Sequence, residues 1–284
     1  MTASRPKLLL IRGLGHSGTT ILDLALGANP DVMGLGEAAR LLRPPELTDA
    51  HDGPYRLRND MRFKRLCSCG SVAAECSIWG EYLEWLRLND DLSMDQKVLR
   101  LLDSDSRSGG DFLYVDSYQD DLSMLRLPVD LFDLRVIHLV RDIRSWLPRR
   151  VRSARSEGKH FSSFRNAFRW FYVNQKFSNV FRQSGVPVLR VGYEELALRP
   201  EFTLRLICQW LNLNYTQQML SPGLYSKSHI LLGNRVRQQG DRNQQIVYDA
   251  SWLRDGGLGF SSFLLSLPCV AQMNRDFVYS NNIL

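Results

Sequence analysis

The residues best suited to chemistry come early, in Gly13-Leu14-Gly15-His16-Ser17-Gly18-Thr19-Thr20. An apolar run, Lys7 to Ile11, leads into this stretch, and apolar residues at helical spacing from Thr19 to Leu26 follow it, so the glycines occupy a strand-turn-helix junction. Backbone amides in such a turn, reinforced by the positive end of the helix dipole, hold a phosphate without help from any side chain. The two glycines have the separation of G-x-x-x-x-G-K-[ST], but Thr19 stands where the lysine belongs. That lysine reaches the β- and γ-phosphates in nucleoside triphosphatases, so the cradle is present while triphosphate chemistry is disfavoured.

Three further groups invite a functional reading. Glu37 closes Gly34-Leu35-Gly36-Glu37 after a second short apolar stretch, which puts it at the sheet edge that carries the glycine turn. Arg141 follows the clearest strand pattern of the chain, Leu134 to Val140, at the carboxyl edge where parallel sheets bind ligands. It opens a basic segment containing Arg144, Arg149, Arg150, Arg152, Arg155, Lys159 and Arg165, and all but six of the chain's 36 basic residues are arginine, the side chain suited to forked contact with phosphate or sulfate. Cys67, Cys69 and Cys76 cluster in sequence, but without a second pair at finger spacing or a fourth ligand nearby. A structural or redox role is therefore favoured over zinc, and no metal is expected. Cys208 falls in an apolar helical pattern and reads as a buried thiol.

The elements that must position these groups alternate along the chain. Strands are expected at Lys7–Ile11, Val32–Leu35, Phe112–Val115, Leu134–Val140 and Val186–Val191. Helices are expected at Thr19–Leu26, Trp79–Leu88, Gln96–Leu102, Phe161–Gln183 and Phe202–Leu211. This order predicts an α/β fold, a parallel β-sheet flanked by helices on both faces with a phosphate-binding turn. The expected organisation is one domain over residues 1–284 with an insertion or lid around 43–77, where Pro44-Pro45 and Gly53-Pro54 break any periodicity. The 284 residues, 44% hydrophobic, suffice for a large core, and no run approaches the roughly 18 apolar residues of a membrane span. A cytoplasmic protein is expected. The net charge of +6 suits an anionic partner, but no helix-turn-helix, finger or aromatic RNA-binding signature accompanies it, so nucleic acid is not expected.

His16-Ser17-Gly18-Thr19-Thr20 resembles the 5′-phosphosulfate loop of the sulfotransferases that use 3′-phosphoadenosine 5′-phosphosulfate (PAPS), and other segments agree in order along nearly the whole chain. Val140-Arg141-Asp142 resembles that family's 3′-phosphate motif, and Val191-Gly192-Tyr193-Glu194-Glu195-Leu196 its Tyr-Glu-Asp-Leu segment. His229, Gly233-Asn234 and Arg237 resemble its late nucleotide loop, and Met273-Asn274-Arg275 through Tyr279 its terminal helix. The resemblance, nearest to the bacterial, carbohydrate and protein-tyrosine branches, implies sulfuryl transfer from PAPS to a hydroxyl or amine of a small-molecule, carbohydrate or lipid acceptor, releasing adenosine 3′,5′-bisphosphate. It implies that Gly15, His16, Ser17, Gly18, Thr19 and Thr20 hold the 5′ end and Arg141 the 3′-phosphate, with Ser145 or Arg149 assisting. Tyr193 would lie near the adenine, and Gly233, Asn234 and Arg237 would close over the nucleotide. It places the base on Glu37 and gives His16 the role of a cationic donor to the bridging oxygen.

Two departures stand out. Asp116-Ser117-Tyr118-Gln119-Asp120 has Gln119 where a lysine is usual, and Arg149 replaces a serine. The competing expectations are a small-metabolite kinase and a catalytically weak nucleotide-binding relative. The aromatics Phe161, Phe164, Phe168, Trp170, Phe171 and Tyr172 suit either an acceptor pocket or helical packing.

Overall fold

The computed structural model describes residues 5–43, 63–104, 112–119, 121–156, 158, 162–233, 245–254 and 259–279. In chain order the elements are β1 (Lys7–Arg12), α1 (Thr19–Leu26), β2 (Val32–Gly34), α2 (Ala38–Leu42), α3 (Gly80–Leu88), α4 (Met94–Asp103), β3 (Leu113–Asp116), β4 (Asp133–Val140), α5 (Ile143–Ser156), α6 (Ser163–Ser184), β5 (Val188–Gly192), α7 (Tyr193–Leu198), α8 (Pro200–Leu211) and α9 (Pro268–Val278), with shorter turns between them. The fold is α/β, with one five-stranded sheet ordered β2-β3-β1-β4-β5. Strand pairs β1/β3, β2/β3 and β4/β5 are parallel. The strands are buried along almost their whole length, which is why they read as continuous apolar runs without alternation.

Two compact units divide the chain. The first comprises Met1–Ile11, Thr20–Arg135 and Thr216–Gln245, the second Arg12–Thr19, Val136–Tyr215 and Ile246–Leu284. In the first unit, β3 takes β1 on one side and β2 on the other, with Leu113 in register with both Lys7 and Val32. Helix α4 starts with a capping box in which Ser93 and Gln96 satisfy each other's amides. Of the lid region expected around 43–77, residues 44–62 lie outside the described residues. Residues 63–77 form tight turns that bring Cys67 and Cys76 into the interior.

In the second unit, β4 and β5 pair from Val136↔Val188 to Val140↔Gly192. Asp142 follows β4 and caps α5, its Oδ1 accepting the Arg144 amide at 2.7 Å. The core below them gathers Leu14, Val140, Ile143, Trp146, Leu147, Trp170, Met273 and Phe277. Gly13 packs so closely on β4 that a Cβ there would sit 2.2 Å from the Leu139 carbonyl oxygen, so the entry to the turn after β1 needs glycine on steric grounds. Gly192 meets the Val278 carbonyl oxygen still more closely, at 1.7 Å from a notional Cβ, and this seats α9 on the end of β5.

Candidate active site

The second unit assembles the glycine turn and Arg141. His16 and Gly18 adopt positive φ of 72° and 97°, and Ser17 N–H donates to the Leu14 carbonyl at 3.0 Å. This is the tight winding from which consecutive amides form an anion-binding concavity. The Trp146 indole on α5 donates to the Gly15 carbonyl at 2.8 Å, fixing the turn from outside.

Arg141 is nearly buried, and its guanidinium has three partners. Nε donates to Ser145 Oγ at 2.8 Å, Nη1 to the His16 carbonyl at 3.2 Å and Nη2 to Asp249 Oδ2 at 3.2 Å. The Tyr193 ring lies 4.4 Å from the guanidinium carbon, in cation–π range. Ser145 in turn donates to Glu194 Oε1 at 2.7 Å, and Glu194 Oε2 accepts the Asp142 amide at 3.0 Å. Burial raises the Glu194 carboxyl above its ordinary range, against these two hydrogen bonds. The Trp170 indole holds the Arg141 carbonyl at 2.9 Å. Two indoles, a serine and a glutamate therefore fix the position of one arginine and one turn.

Asp142 is the second fixed point. Asn274 Nδ2 donates to its Oδ2 at 3.0 Å, Tyr279 Oη donates to the same oxygen at 2.7 Å, and Arg144 adds a forked pair. Although burial opposes ionisation, Arg144, Asn274 and Tyr279 hold this carboxyl below its usual value. The segment read as a terminal helix thus supports the Arg141 strand end by way of Asp142.

Several expected residues take positions the sequence did not specify. Ser145 is completely buried between Arg141 and Glu194, where it orients the arginine. Arg149 is half-exposed on α5. Arg150, one residue further, places Nη1 3.3 Å from His16 Nε2. A guanidinium only donates, so any hydrogen bond in this contact has Nε2 as its acceptor. Asn234 and Arg237 lie outside the described residues. Asp249 escaped the sequence reading because it belongs to no motif, and Arg150 figured there only within the basic segment; only folding brings Asp249 to Arg141 and Arg150 to His16.

The basic segment and the aromatics of α6 meet at an open cavity of about 560 Å³, whose lining includes Arg150, Arg165, Arg169, Phe168 and Tyr172. Phe168 and Tyr172 stack with centroids 6.0 Å apart. Trp170 instead points into the core, so helical periodicity divides the aromatic run between packing and a basic, aromatic-walled pocket.

The first unit holds Glu37 at the start of α2. Its carboxylate is mostly buried and Oε2 lies 3.4 Å from Arg40 Nη1. Its amide donates to the Leu232 carbonyl at 3.0 Å, and the next residue, Gly233, faces Thr20, with 3.7 Å from a notional Cβ to Oγ1. Glu37 and Thr20 thus both lie next to the Leu232–Gly233 segment. Gly36 has φ 67°, and a Cβ would come within 2.4 Å of the Leu232 carbonyl oxygen, so the turn before Glu37 requires glycine. The stretch that carries Gln119 braces this turn from the other side. The Ser117 amide donates to the Gly36 carbonyl at 2.7 Å, and Asp116 Oδ2 accepts the Ala39 amide at 2.7 Å. Gln119 itself is half-buried.

Behind the turn sits Asp23, fully buried, with Oδ2 accepting from the Ser117 hydroxyl at 2.6 Å and from the Gly36 amide at 3.1 Å. Burial pushes its carboxyl up to about 7, outweighing both hydrogen bonds, with the Asp116 charge adding to the rise. A carboxyl whose folded pKa exceeds its unfolded value gives stability that is complete below about pH 4 and lost as pH rises through the folded value. Wild-type stability is expected to fall by a few kcal/mol relative to Asp23→Asn between about pH 4 and 7, because the amide keeps the acceptor without ionising. Urea unfolding of both proteins across that range checks this, and a difference constant with pH would show that Asp23 is ionised throughout.

Residues 124–217 match the model described as the Sulfotransferase family. The matched stretch contains Arg141, Ser145 and Tyr193. Among solved structures, the sulfotransferase domain of the Synechococcus PCC 7002 olefin synthase is similar at 18% identity with a TM-score of 0.49, over 99% of this chain and 97% of that one. No curated protein matches the sequence significantly. The described residues include no helix long and apolar enough to cross a membrane. The family match spans β4 to α8 of this α/β fold.

Proposed function

We propose that the protein transfers a sulfuryl group from PAPS to an acceptor hydroxyl or amine. The observation that carries this reading is the 3.2 Å contact between Arg141 Nη1 and the His16 carbonyl, which puts the 3′-phosphate arginine beside the turn suited to the 5′ end. The residues fit such a donor. Amides of Gly15 to Thr20, with the hydroxyls of Ser17, Thr19 and Thr20, supply neutral donors for the 5′ end, and Arg141 supplies a preorganised fork for the 3′-phosphate. Asp249 holds one arm of that fork, so a phosphate would take the carboxylate's place. Gly233 and the two residues beyond the described region, Asn234 and Arg237, belong to the same nucleotide site in this reading.

Glu37 takes the acceptor proton. The acceptor oxygen then forms its bond to sulfur while the bond from sulfur to the bridging oxygen breaks, and the electron pair leaves with adenosine 3′,5′-bisphosphate. The turn amides and His16 stabilise the charge that develops on the bridging oxygen. In this reading His16 is the imidazolium that donates to the bridging oxygen. The acceptor belongs in the basic cavity beside His16, where Arg150, Arg165 and Arg169 favour an anionic group and Phe168 and Tyr172 a flat or apolar one. A role in the cytoplasm and independence from metal in the chemical step belong to the same proposal.

Thermal unfolding with adenosine 3′,5′-bisphosphate, with ATP and magnesium, and with an oligonucleotide separates this reading from its rivals. Bisphosphate at about 100 times its dissociation constant is expected to stabilise the native state by about 2.7 kcal/mol. A larger response to ATP would replace the proposal with a kinase.

A further inference from the structure

We propose that Cys67, Cys69, Cys76 and His229 bind one zinc ion as a closed structural site, and that this site clasps the segment around His229 onto the turn that carries Glu37. The four ligand atoms all lie within 4.8 Å of one another. Cys76 Sγ is 3.8 Å from both Cys67 Sγ and Cys69 Sγ, and 3.1 Å from His229 Nδ1. A tetrahedral zinc with bonds of about 2.3 Å to sulfur and 2.0 Å to nitrogen sets sulfurs about 3.8 Å apart and sulfur and nitrogen about 3.5 Å apart. The two sulfur–sulfur distances from Cys76 match that spacing, its 3.1 Å to the histidine nitrogen is slightly short, and the remaining pairs lie within 4.8 Å. A disulfide needs about 2.05 Å and pairs two thiols, leaving the third and the imidazole unexplained.

The surroundings are those of a metal knuckle. The Cys69 amide donates to the Cys67 sulfur, and the Ile78 and Trp79 amides donate to the Cys76 sulfur, so backbone dipoles are arranged to stabilise thiolates. Gly70, with φ 92°, turns the chain directly after Cys69. Three soft thiolates and an imidazole select zinc over hard cations, and four protein ligands leave no open position for chemistry, which makes the site structural. Cys67 and Cys76 are buried and Cys69 is exposed, so the ion has a route of entry. Sequence reading counted the three thiols and found no fourth ligand nearby; the fourth stands 153 residues beyond Cys76.

That separation gives the site its purpose. The His229 amide donates to the Gly34 carbonyl at 2.7 Å, and the Trp79 indole donates to the His229 carbonyl at 2.6 Å. Ser68, between two of the ligands, bonds to both Ser228 and Ile230. Three residues past the histidine, the Leu232 carbonyl receives the Glu37 amide. One ion thus joins residues 67–76 to 228–232, and through these hydrogen bonds holds Gly34 to Glu37 in place.

Metal analysis of the full-length protein from zinc-supplemented medium is expected to give one zinc per chain. Cys69→Ser and His229→Ala are expected to lose it, while Cys208→Ser and Cys269→Ser, at thiols elsewhere, keep it. Because a ligand variant can misfold, chelator-stripped wild-type protein is also titrated with cobalt(II). The expected spectrum has a thiolate-to-cobalt charge-transfer band and intense tetrahedral d–d bands, which zinc abolishes. Zinc-free wild-type protein with no such spectrum, a disulfide among the three cysteines in the native protein, an iron–sulfur chromophore, or undiminished zinc in both ligand variants would each overturn the site. None of these readouts involves sulfuryl transfer, so the zinc site and the proposed activity fail separately.

Discussion

Arg141→Ala is expected to weaken binding of adenosine 3′,5′-bisphosphate by about 10²-fold or more, the scale for truncating one partner of a buried charge pair. The guanidinium is held by Ser145, the His16 carbonyl and Asp249 and lies over Tyr193, so its fork is preorganised and a bound phosphate has only to displace one carboxylate. Arg141→Lys keeps the charge without the fork and is expected to recover only part of the affinity. Removing the arginine leaves Ser145 bonded to Glu194 and Trp146 bonded to Gly15, so the turn keeps its frame. Titration calorimetry measures both variants. Affinity in Arg141→Ala within twofold of wild type would take this residue out of the nucleotide site and remove the main support for the proposed donor.

Glu37→Gln is expected to lower turnover by about 10²–10⁴-fold, the range for losing a positioned general base, while bisphosphate affinity stays near the wild-type value. The substitution preserves volume, and the backbone bond from residue 37 to the Leu232 carbonyl does not depend on the side chain. A fall in turnover with unchanged binding therefore reports proton transfer and not collapse of the turn. Single-turnover assays with radiolabelled donor give the chemical step directly. Turnover close to wild type would assign the proton to another group. The Asp23 titration described above provides an independent handle on the same turn, since ionising that carboxyl loads the backbone that positions Glu37.

Much of the frame was written locally. The helix expected at Thr19–Leu26 has those bounds, and the strand expected at Leu134–Val140 differs by one residue, because burial on both faces of a strand and on one face of a helix leaves distinct apolar periods. The glycine turn was equally legible, since positive φ at Gly18 and the contact of Gly13 with Leu139 tolerate no side chain. Motif residues such as Arg141 and Tyr193 could be listed, but their relation, a guanidinium over a ring, could not.

Interactions between distant parts of the chain left no local trace. Asp249 reaches Arg141 across 108 positions, Asn274 reaches Asp142 across 132, and His229 joins Cys76 across 153. No periodicity or spacing rule spans such separations, and each of these residues alone looks like an ordinary polar side chain. The sequence by itself determined a parallel α/β frame, a lysine-free glycine turn and an arginine at a strand end, because these follow from backbone sterics and apolar burial within short windows. Tertiary structure alone decided which polar groups meet, and hence that Arg141 is preorganised, that Asp23 is pushed toward neutrality, and that three thiols find a fourth ligand.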